Sequence, residues 1–329
     1  EVAVDDRYIV VDNTLVALQE MARDYRISLG LPVIGITGTN GKTTTKELCA
    51  AVLRQQRRIH YTRGNLNNAI TNVGLAHLQG FGSIEGVMRT KGELYDYVRD
   101  NGGLILLNSG NDRLCSMAKG LMVRTYALDT ADATAEVTGH VIDQKEHLIM
   151  SVNIQGTTLE LHTHLIGGYN AENILAACLM GVVFGLTPEQ IKAGIEGYIP
   201  TNNRSMLVHT KHNTLIVDAY NANPTSMRAA IANMSERNDM AATLILGDML
   251  ELGDQSLEQH QQIVDMIADL GFDHAILVGQ EFARTRHHFT AFQTTDDLKH
   301  WLVQHPISGR HILLKGSHGM HLDSLTTLL

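Results

Sequence analysis

Apolar positions along the chain follow two periods, and the first of them dominates its early part. From residue 33 to about residue 108, continuous β-branched runs alternate with stretches whose apolar residues recur every three to four positions. Val33, Ile34 and Ile36 predict a buried strand, followed by a helix over 44–55, a short strand over 59–62, a helix over 83–99 and a buried-type strand over 104–108. Strands alternating with helices predict a parallel sheet with covered faces, and a ligand at the carboxyl ends of its strands. Upstream, residues 8–11 form one strand-like run. Asn13-Thr14 can cap a helix over 15–26, on which Leu15, Leu18, Met21, Ala22 and Tyr25 share a face.

Between about 133 and 165 the period changes to two, as in 148–154 and 158–161, with turn signals at 143–146 and at Gln155-Gly156. That pattern predicts an antiparallel meander attached to the sheet. Helices are expected over 171–184 and 189–194, the second with Thr187 as N-cap and Pro188 at its first position. The loop 198–204 reads as a domain boundary. Beyond it a second α/β unit is predicted: strands over 214–217, 243–246, 275–278 and 312–314, separated by helices over 224–236, 256–270 and 296–303.

The chemistry concentrates where the first predicted strand ends. Gly38-Thr39-Asn40-Gly41-Lys42-Thr43-Thr44 has the composition of a phosphate loop opening a helix. Glycine lets backbone N–H groups approach an anion, and the helix N-terminus adds partial positive charge. Lys42 would reach the terminal phosphates of a nucleotide, and the Thr43 hydroxyl would ligate Mg²⁺. The strict pattern G-x-x-x-x-G-K-[ST] is not met, because Ile36 stands five residues before Gly41. A tight turn with an ordinary surface lysine is the plain alternative, and the flanking strand and helix argue against it.

Composition narrows the rest. The 329 residues suffice for two or three domains, and a 44% hydrophobic content is ordinary for globular cores. A net charge of -9 without a basic tail argues against nucleic-acid binding. Cys49, Cys115 and Cys178 are odd in number and lack C-x-x-C spacing, which fits a reducing cytoplasm. No apolar run reaches the ~20 residues needed to span a bilayer, and no signal peptide is visible. The chain starts Glu-Val-Ala-Val, so its natural N-terminus is expected upstream. One stretch reads poorly: 62–78 passes from one loop into another, with no acid between Arg63 and His77 to hold Mg²⁺, and residues are expected to be missing at the Ile70-Thr71 join.

Several strings converge with the phosphate loop: TRGNLNNAI (62–70), AHLQGFGS (76–83), TKGELY (90–95), NSGNDRL (108–114), GGYNAENILAA (167–177), NNRS (202–205), DAYNANPTSM (218–227), GDMLELG (247–253) and LLKGS (313–317). Together they resemble the Mur ligase family of ATP-dependent amide-forming enzymes over about residues 2–329. They look most like its branch that joins D-alanyl-D-alanine to UDP-N-acetylmuramoyl-tripeptide. The phosphate loop alone would fit folylpolyglutamate synthetases equally; DAYNANP followed by GDMLELG is more specific.

The resemblance implies a remnant of an N-terminal UDP-binding domain with a lead-in helix (1–30), a central phosphate-loop domain with a parallel sheet plus meander (31–198) and a Rossmann-like C-terminal α/β domain (199–329). It implies ATP and Mg²⁺, a monomer in the cytoplasm, and an acyl phosphate on the substrate carboxylate. His77 and Lys91, the latter as a carbamate, would hold a second Mg²⁺, while the family's glutamate for this metal has no match. Asn170 and Asn173, read also as helix caps, would serve adenine or ribose, Arg204 the ATP phosphates, and Asp218 the ribose hydroxyls. Asn65, Asn67, Asn68, Asn221 and Asn223 would face the substrates. Open alternatives are another Mur ligase, a folylpolyglutamate synthetase-like ligase, and a nucleotide-binding homologue without ligase activity.

Overall fold

The computed structural model describes residues 9–36, 38, 40–60, 84–129, 132, 134–201, 204–237 and 241–329, with the side chains of 84–91 outside the description. Residues 1–35 and 36–329 form two units. In the first, Asn13 accepts from the amides of Leu15 and Val16 and so starts helix α1 (Thr14–Ser28), as its sequence predicts. Its expected apolar face, with Leu15, Leu18, Met21 and Tyr25, is exposed. The predicted strand at 33–36 does not form among the described residues, and Val33 is 64% exposed whereas Ile36 enters the core. A strand needs a ladder partner, and no described segment pairs with this one. Residues 9–11 and 59–60 likewise carry no strand, and the rest of those two predicted strands lies outside the described residues.

Helix α2 (Lys42–Leu53) follows the phosphate loop, and α3 (Ile84–Asp100) leads to β1 (Leu104–Asn108). After α4 (Asp112–Met117) come β2 (Met122–Leu128), β3 (Val137–Asp143), β4 (Ile149–Ile154) and β5 (Thr157–His162). These five strands pair in chain order, β1 through β3 parallel and β3 through β5 antiparallel. The parallel sheet with an attached meander is therefore as predicted. Gln155 and Gly156, at φ 50° and 90°, make the two-residue turn between β4 and β5. Positive φ at both central residues matches the right-handed twist of the flanking strands.

Helices α5 (Ala171–Val183) and α6 (Pro188–Glu196) complete the first layer. Thr187 Oγ1 accepts from Gln190 N, Gln190 Oε1 accepts in turn from Thr187 N, and Pro188 occupies the first turn of α6. Leu48 and Val52 of α2, Leu175 and Leu179 of α5, and Ile191 and Ile195 of α6 share one core with Met150 and Val152 of β4. The three helices touch through glycines. A Cβ at Gly194 would come 2.5 Å from the Cα of Val52, and one at Gly181 2.6 Å from Ile191.

The remaining chain builds a second sheet from β6 (Met206–His209), β7 (Thr214–Asp218), β8 (Ala242–Gly247), β9 (Ala275–Val278), β10 (Thr290–Phe292) and β11 (His311–Lys315). Their order is β10-β9-β8-β11-β7-β6, parallel except for β6. Helices α7 (Pro224–Glu236) and α8 (Ser256–Asp269) cover one face, through Met227, Ile231, Ile263 and Ile267 packed on Leu244, Leu246 and Leu313. After the short α9 (Gln280–Ala283), helix α10 (Thr295–Gln304) covers the other, where Leu298 and Leu302 meet Leu215, Val217, Ile245 and Leu314. Burial on both faces is why these strands read as unbroken apolar runs. No described helix is long and apolar enough to cross a membrane.

The Gly194 contact is backbone against backbone, which side-chain rotation cannot relieve. Gly194→Ala should force α6 away from α2 and destabilise the fold by ~1–3 kcal/mol, read as a lowered urea midpoint with an unchanged slope. An unchanged midpoint would show that the layer yields without cost.

Candidate functional site

The phosphate loop is shaped from below by α5. Gly41 is the N-cap of α2 with φ 75°, and a Cβ there would lie 2.2 Å from Asn173 Oδ1. Glycine is therefore required twice, for the left-handed backbone and for the close approach. Asn173 Oδ1 accepts from Thr45 Oγ1 at 3.0 Å, Asn173 Nδ2 donates to Asn170 Oδ1 at 2.9 Å, and Asn170 Nδ2 donates to Ile166 O at 2.8 Å. Both asparagines are buried. This ladder corrects the expected caps. Asn170 occupies the N-cap position of α5 but makes no capping bond, because its amide is committed to Ile166 and Asn173. Asn173 lies inside the first turn of α5 rather than ahead of it.

Lys42 Nζ donates to Gly38 O at 2.6 Å, folding the side chain back over the loop. Thr43 is buried at the start of α2, a helix with no side-chain cap and no acid in its first turn. Such an N-terminus presents backbone N–H groups and partial positive charge to an anion.

The second sheet supplies the opposite wall. Asp218 ends β7 and Lys315 ends the adjacent β11 in register with it, and their side chains form an ion pair at 2.5 Å in which Lys315 is buried and Asp218 half-buried. Sequence reasoning noted LLKGS but assigned Lys315 no place; a lysine closing a buried apolar run is the signal, since such a residue must be paired. Asn223 caps α7 in a reciprocal box with Ser226, and its Nδ2 donates to Asn40 Oδ1 at 2.6 Å, tying the second sheet to the phosphate loop. Two further bridges join the same halves. Tyr169 and Ser205 hydroxyls lie 3.0 Å apart, and Gln144 accepts from Gly168 N and Asn233 while donating to Glu236.

Between the walls lies a cavity of about 510 Å³. It is lined by the predicted residues Asn40, Gly41, Lys42, Thr43, Thr44, Asn170, Asn173, Arg204, Asp218, Asn221 and Asn223, with Lys315, Glu172 and Tyr169 added. Gly38 adjoins it through Lys42. Thr39, Asn65, Asn67, Asn68 and His77 lie outside the described residues, as does the Ile70-Thr71 join. Lys91 stands on the α3 backbone, with its side chain outside the description.

The electrostatics of the cavity are those of a site short of negative charge. Burial and, second, the nearby Arg204 guanidinium push Lys42 below the usual 10.5. Burial lowers Arg204 too, against the opposing pull of Asp218 and Tyr220. Glu172 is pushed upward by burial, partly offset by a hydrogen bond with Asn108. Two cations from distant parts of the chain converge at the mouth of a helix, which is an arrangement suited to a polyphosphate.

GDMLELG serves a different purpose from the cavity. Asp248 accepts from the amides of Glu281 and Phe282, and His260 accepts from Met249 N while its other ring nitrogen bonds Ser256 O. Burial lowers the His260 pKa, which suits this neutral ring. Leu250 N reaches Ser317 Oγ, so the string clamps the carboxyl ends of β8, β9 and β11.

Comparison with known proteins agrees with this geometry. Residues 36–71 and 67–181 match the Mur ligase middle domain, and 203–318 match the Mur ligase, glutamate ligase domain. The UDP-N-acetylmuramoyl-tripeptide--D-alanyl-D-alanine ligase of Bacillus subtilis is 31% identical over 373 aligned residues, 96% of this chain and 80% of that protein. Its Escherichia coli counterpart is 28% identical over 84% and 71%. The crystal structure of MurF from Acinetobacter baumannii superposes with a TM-score of 0.83 at 25% identity, over 97% of this chain and 81% of that one. MurF from Thermotoga maritima in complex with ADP shares the fold, with a TM-score of 0.85 at 19% identity, over 100% and 86%. The 96% of this chain in the Bacillus alignment is about 316 residues against 373 aligned, so some tens of positions have no counterpart here. The two overlapping pieces of the middle-domain match meet at 67–71, where TRGNLNNAI runs on. Relatives, domains and fold agree: the chain belongs to the Mur ligase family, in its MurF branch.

Proposed function

We propose that this chain is an ATP-dependent ligase that adds D-alanyl-D-alanine to UDP-N-acetylmuramoyl-tripeptide in the synthesis of peptidoglycan precursors. The observation that carries this reading is the meeting of Lys42, from the phosphate loop, with Arg204, from the far side of the cavity, above the paired Asp218. In the reaction a carboxylate oxygen of the tripeptide attacks the γ-phosphorus of ATP and ADP leaves. The free amine of D-alanyl-D-alanine then attacks the acyl carbon, loses a proton, and inorganic phosphate departs. Negative charge builds on the transferred phosphoryl group, where Lys42, Arg204 and the N–H groups at the start of α2 would receive it.

The division into 1–30, 31–198 and 199–329 follows the same reading: the central part holds the phosphates, and the last part supplies Arg204 and the ribose acceptor Asp218. On this reading Asn170 and Asn173 would serve the nucleotide and Asn221 and Asn223 the substrates, all four lining the one cavity. The UDP-linked substrate and ATP support a cytoplasmic setting. A nucleotide-bound Mg²⁺ keeps several waters and needs only one or two protein ligands, a demand that the buried Thr43 hydroxyl in the cavity wall fits. Bound there, Mg²⁺ would supply positive charge to the β- and γ-phosphates. His77 and carbamylated Lys91 are the family-based candidates for a second ion.

A second reading rests on the break between the two pieces of the middle-domain match, which overlap at 67–71. The family's metal-holding glutamate has no match in this chain, so nucleotide binding without ligation is the rival. Incubation with ATP, UDP-N-acetylmuramoyl-tripeptide and D-alanyl-D-alanine, following ADP release and the ligated product, decides between them. ADP formed in step with product supports the ligase; nucleotide binding with no product supports the rival. L-Glutamate or diaminopimelate used in preference to D-alanyl-D-alanine would indicate another Mur ligase.

Lys42→Ala should abolish ligation and leave the fold intact, since burial already opposes the charge of this side chain and its removal uncovers no core. Near wild-type turnover in that variant, with an unchanged melting curve, would refute the phosphate-loop role.

The lowered pKa of Lys42 gives a second expectation. A polyphosphate favours the charged amine, so nucleotide binding takes up a proton once the pH exceeds the depressed pKa, and affinity falls as the pH rises from there towards 10.5. Stability of the unliganded protein runs oppositely. The unfolded lysine holds more protons in that window, so this group's contribution to stability rises with pH. Calorimetry in buffers of different ionisation enthalpy measures the uptake, and Lys42→Met should eliminate it; equal uptake in the variant would assign the proton elsewhere.

A further inference from the structure

Arg204 is the cavity residue whose side chain has the longest reach and the most ways to be misplaced. Its backbone is fixed from one direction: Ser205, next in the chain, adopts φ 48° and its hydroxyl meets that of Tyr169. Left-handed backbone at a serine is costly and persists only where its surroundings enforce it. The guanidinium needs a second constraint, since an arginine side chain gives up considerable rotamer freedom when held in one place. Its nearest carboxylate, Asp218, would draw it away from a phosphate, but that carboxylate is engaged by Lys315.

The constraint comes from Tyr220, through its ring face and a side-chain hydrogen bond with the guanidinium. Arg204 Cζ lies 3.9 Å from the ring centroid of Tyr220, the second residue after Asp218 in DAYNANP. The Tyr220 ring is itself stacked on His318, centroids 5.3 Å apart and planes inclined by 24°, and His318 meets His321 edge-on at 5.7 Å. Tyr220 is not among the described residues that line the cavity, whereas Arg204 is. Stacking occupies the face of a guanidinium, and its N–H donors lie in the plane, so a stacked arginine can still bind phosphate through its edge.

We propose that Tyr220 is a positioning residue for phosphoryl transfer, acting through its ring face to hold the Arg204 guanidinium at the cavity, with His318 backing the ring. The inference rests on the reading that Arg204 serves the nucleotide phosphates. It assigns Tyr220 no contact with substrate and no proton to move.

The test is a double-mutant cycle read by two measurements, the affinity for a non-hydrolysable ATP analogue and the ligation kcat and KM for ATP. Tyr220→Leu keeps apolar bulk and removes the ring face; Tyr220→Phe and Tyr220→Trp keep a face and remove the phenol. Tyr220→Leu should weaken analogue binding about tenfold and lower kcat further than it raises KM, the Phe and Trp variants should stay within about threefold of wild type, and Tyr220→Leu should add no loss in an Arg204→Ala background. Thermal unfolding of each variant identifies a folding defect, and if Tyr220→Leu unfolds, Tyr220→Met takes its place. Wild-type binding in Tyr220→Leu, or losses that add to those of Arg204→Ala, would overturn the positioning role. Equal damage in Tyr220→Phe would overturn it too, by assigning the effect to the hydroxyl. If Arg204→Ala alone binds and turns over ATP normally, the phosphate reading of Arg204 is what fails, an outcome distinct from harmless Tyr220 variants beside a crippled Arg204→Ala.

Discussion

The site depends on one steric contact, the approach of Gly41 to the side chain of Asn173. A phosphate loop must turn sharply and still present its N–H groups in one direction, and here the turn is cast against a buried amide. The amide is in turn fixed by Thr45, Asn170 and the carbonyl of Ile166. Ile166 itself is buried in the core of the second sheet, so the ladder runs from the phosphate loop into the other half of the protein. These buried amides are tied to one another, and breaking one bond would strand a polar group in the interior.

The same economy governs the opposite wall. Asp218 and Lys315 are adjacent in register on parallel strands, so the sheet itself sets their separation. Removing either partner would leave a charge in a poorly solvated place, which costs more than the pair contributes. Pairing leaves the cavity with an excess of positive character from Lys42 and Arg204, and the two repel each other until a polyphosphate arrives. The protein thus carries an unfavourable arrangement in the unliganded state that binding relieves. Such stored disadvantage is common where catalysis needs charges placed before the substrate is present.

Much of this was legible in the residues. Helix α6 announced itself through Thr187, Pro188 and Gln190, the β4–β5 turn through Gln155-Gly156, and the second sheet through its continuous apolar runs. The cavity residues from Asn40 to Thr44 were legible in a compact string at a helix start, and Asp218 at a strand end, whereas Arg204 came from the family resemblance. Strands β2, β6 and β10 were missed. β2, MVRTYAL, interleaves Arg124 and Thr125 with apolar residues and exposes Met122, while β6 and β10 are short edge strands whose pairing is decided by neighbours far away in the chain. Conversely, the apolar run at 33–36 promised a strand that no described partner completes. The capping reading of Asn170 failed because an asparagine before a helix is ordinarily a cap, and only the tertiary position of Ile166 and Asn173 diverts its amide. Tyr220 carries no local signal, since its work depends on a residue sixteen positions upstream and another near the chain's end.

The bridges between the two sheets have one further consequence. Asn40 with Asn223, Tyr169 with Ser205, and Gln144 with Asn233 are bonds between neutral groups, while the bond from Gln144 to Glu236 involves a formal charge. Dissolved electrolyte weakens attraction between separated charges but has little hold on short neutral hydrogen bonds. Raising ionic strength therefore loosens the grip on a polyphosphate while leaving the two walls that receive it at their distance, so capture and architecture respond to different variables.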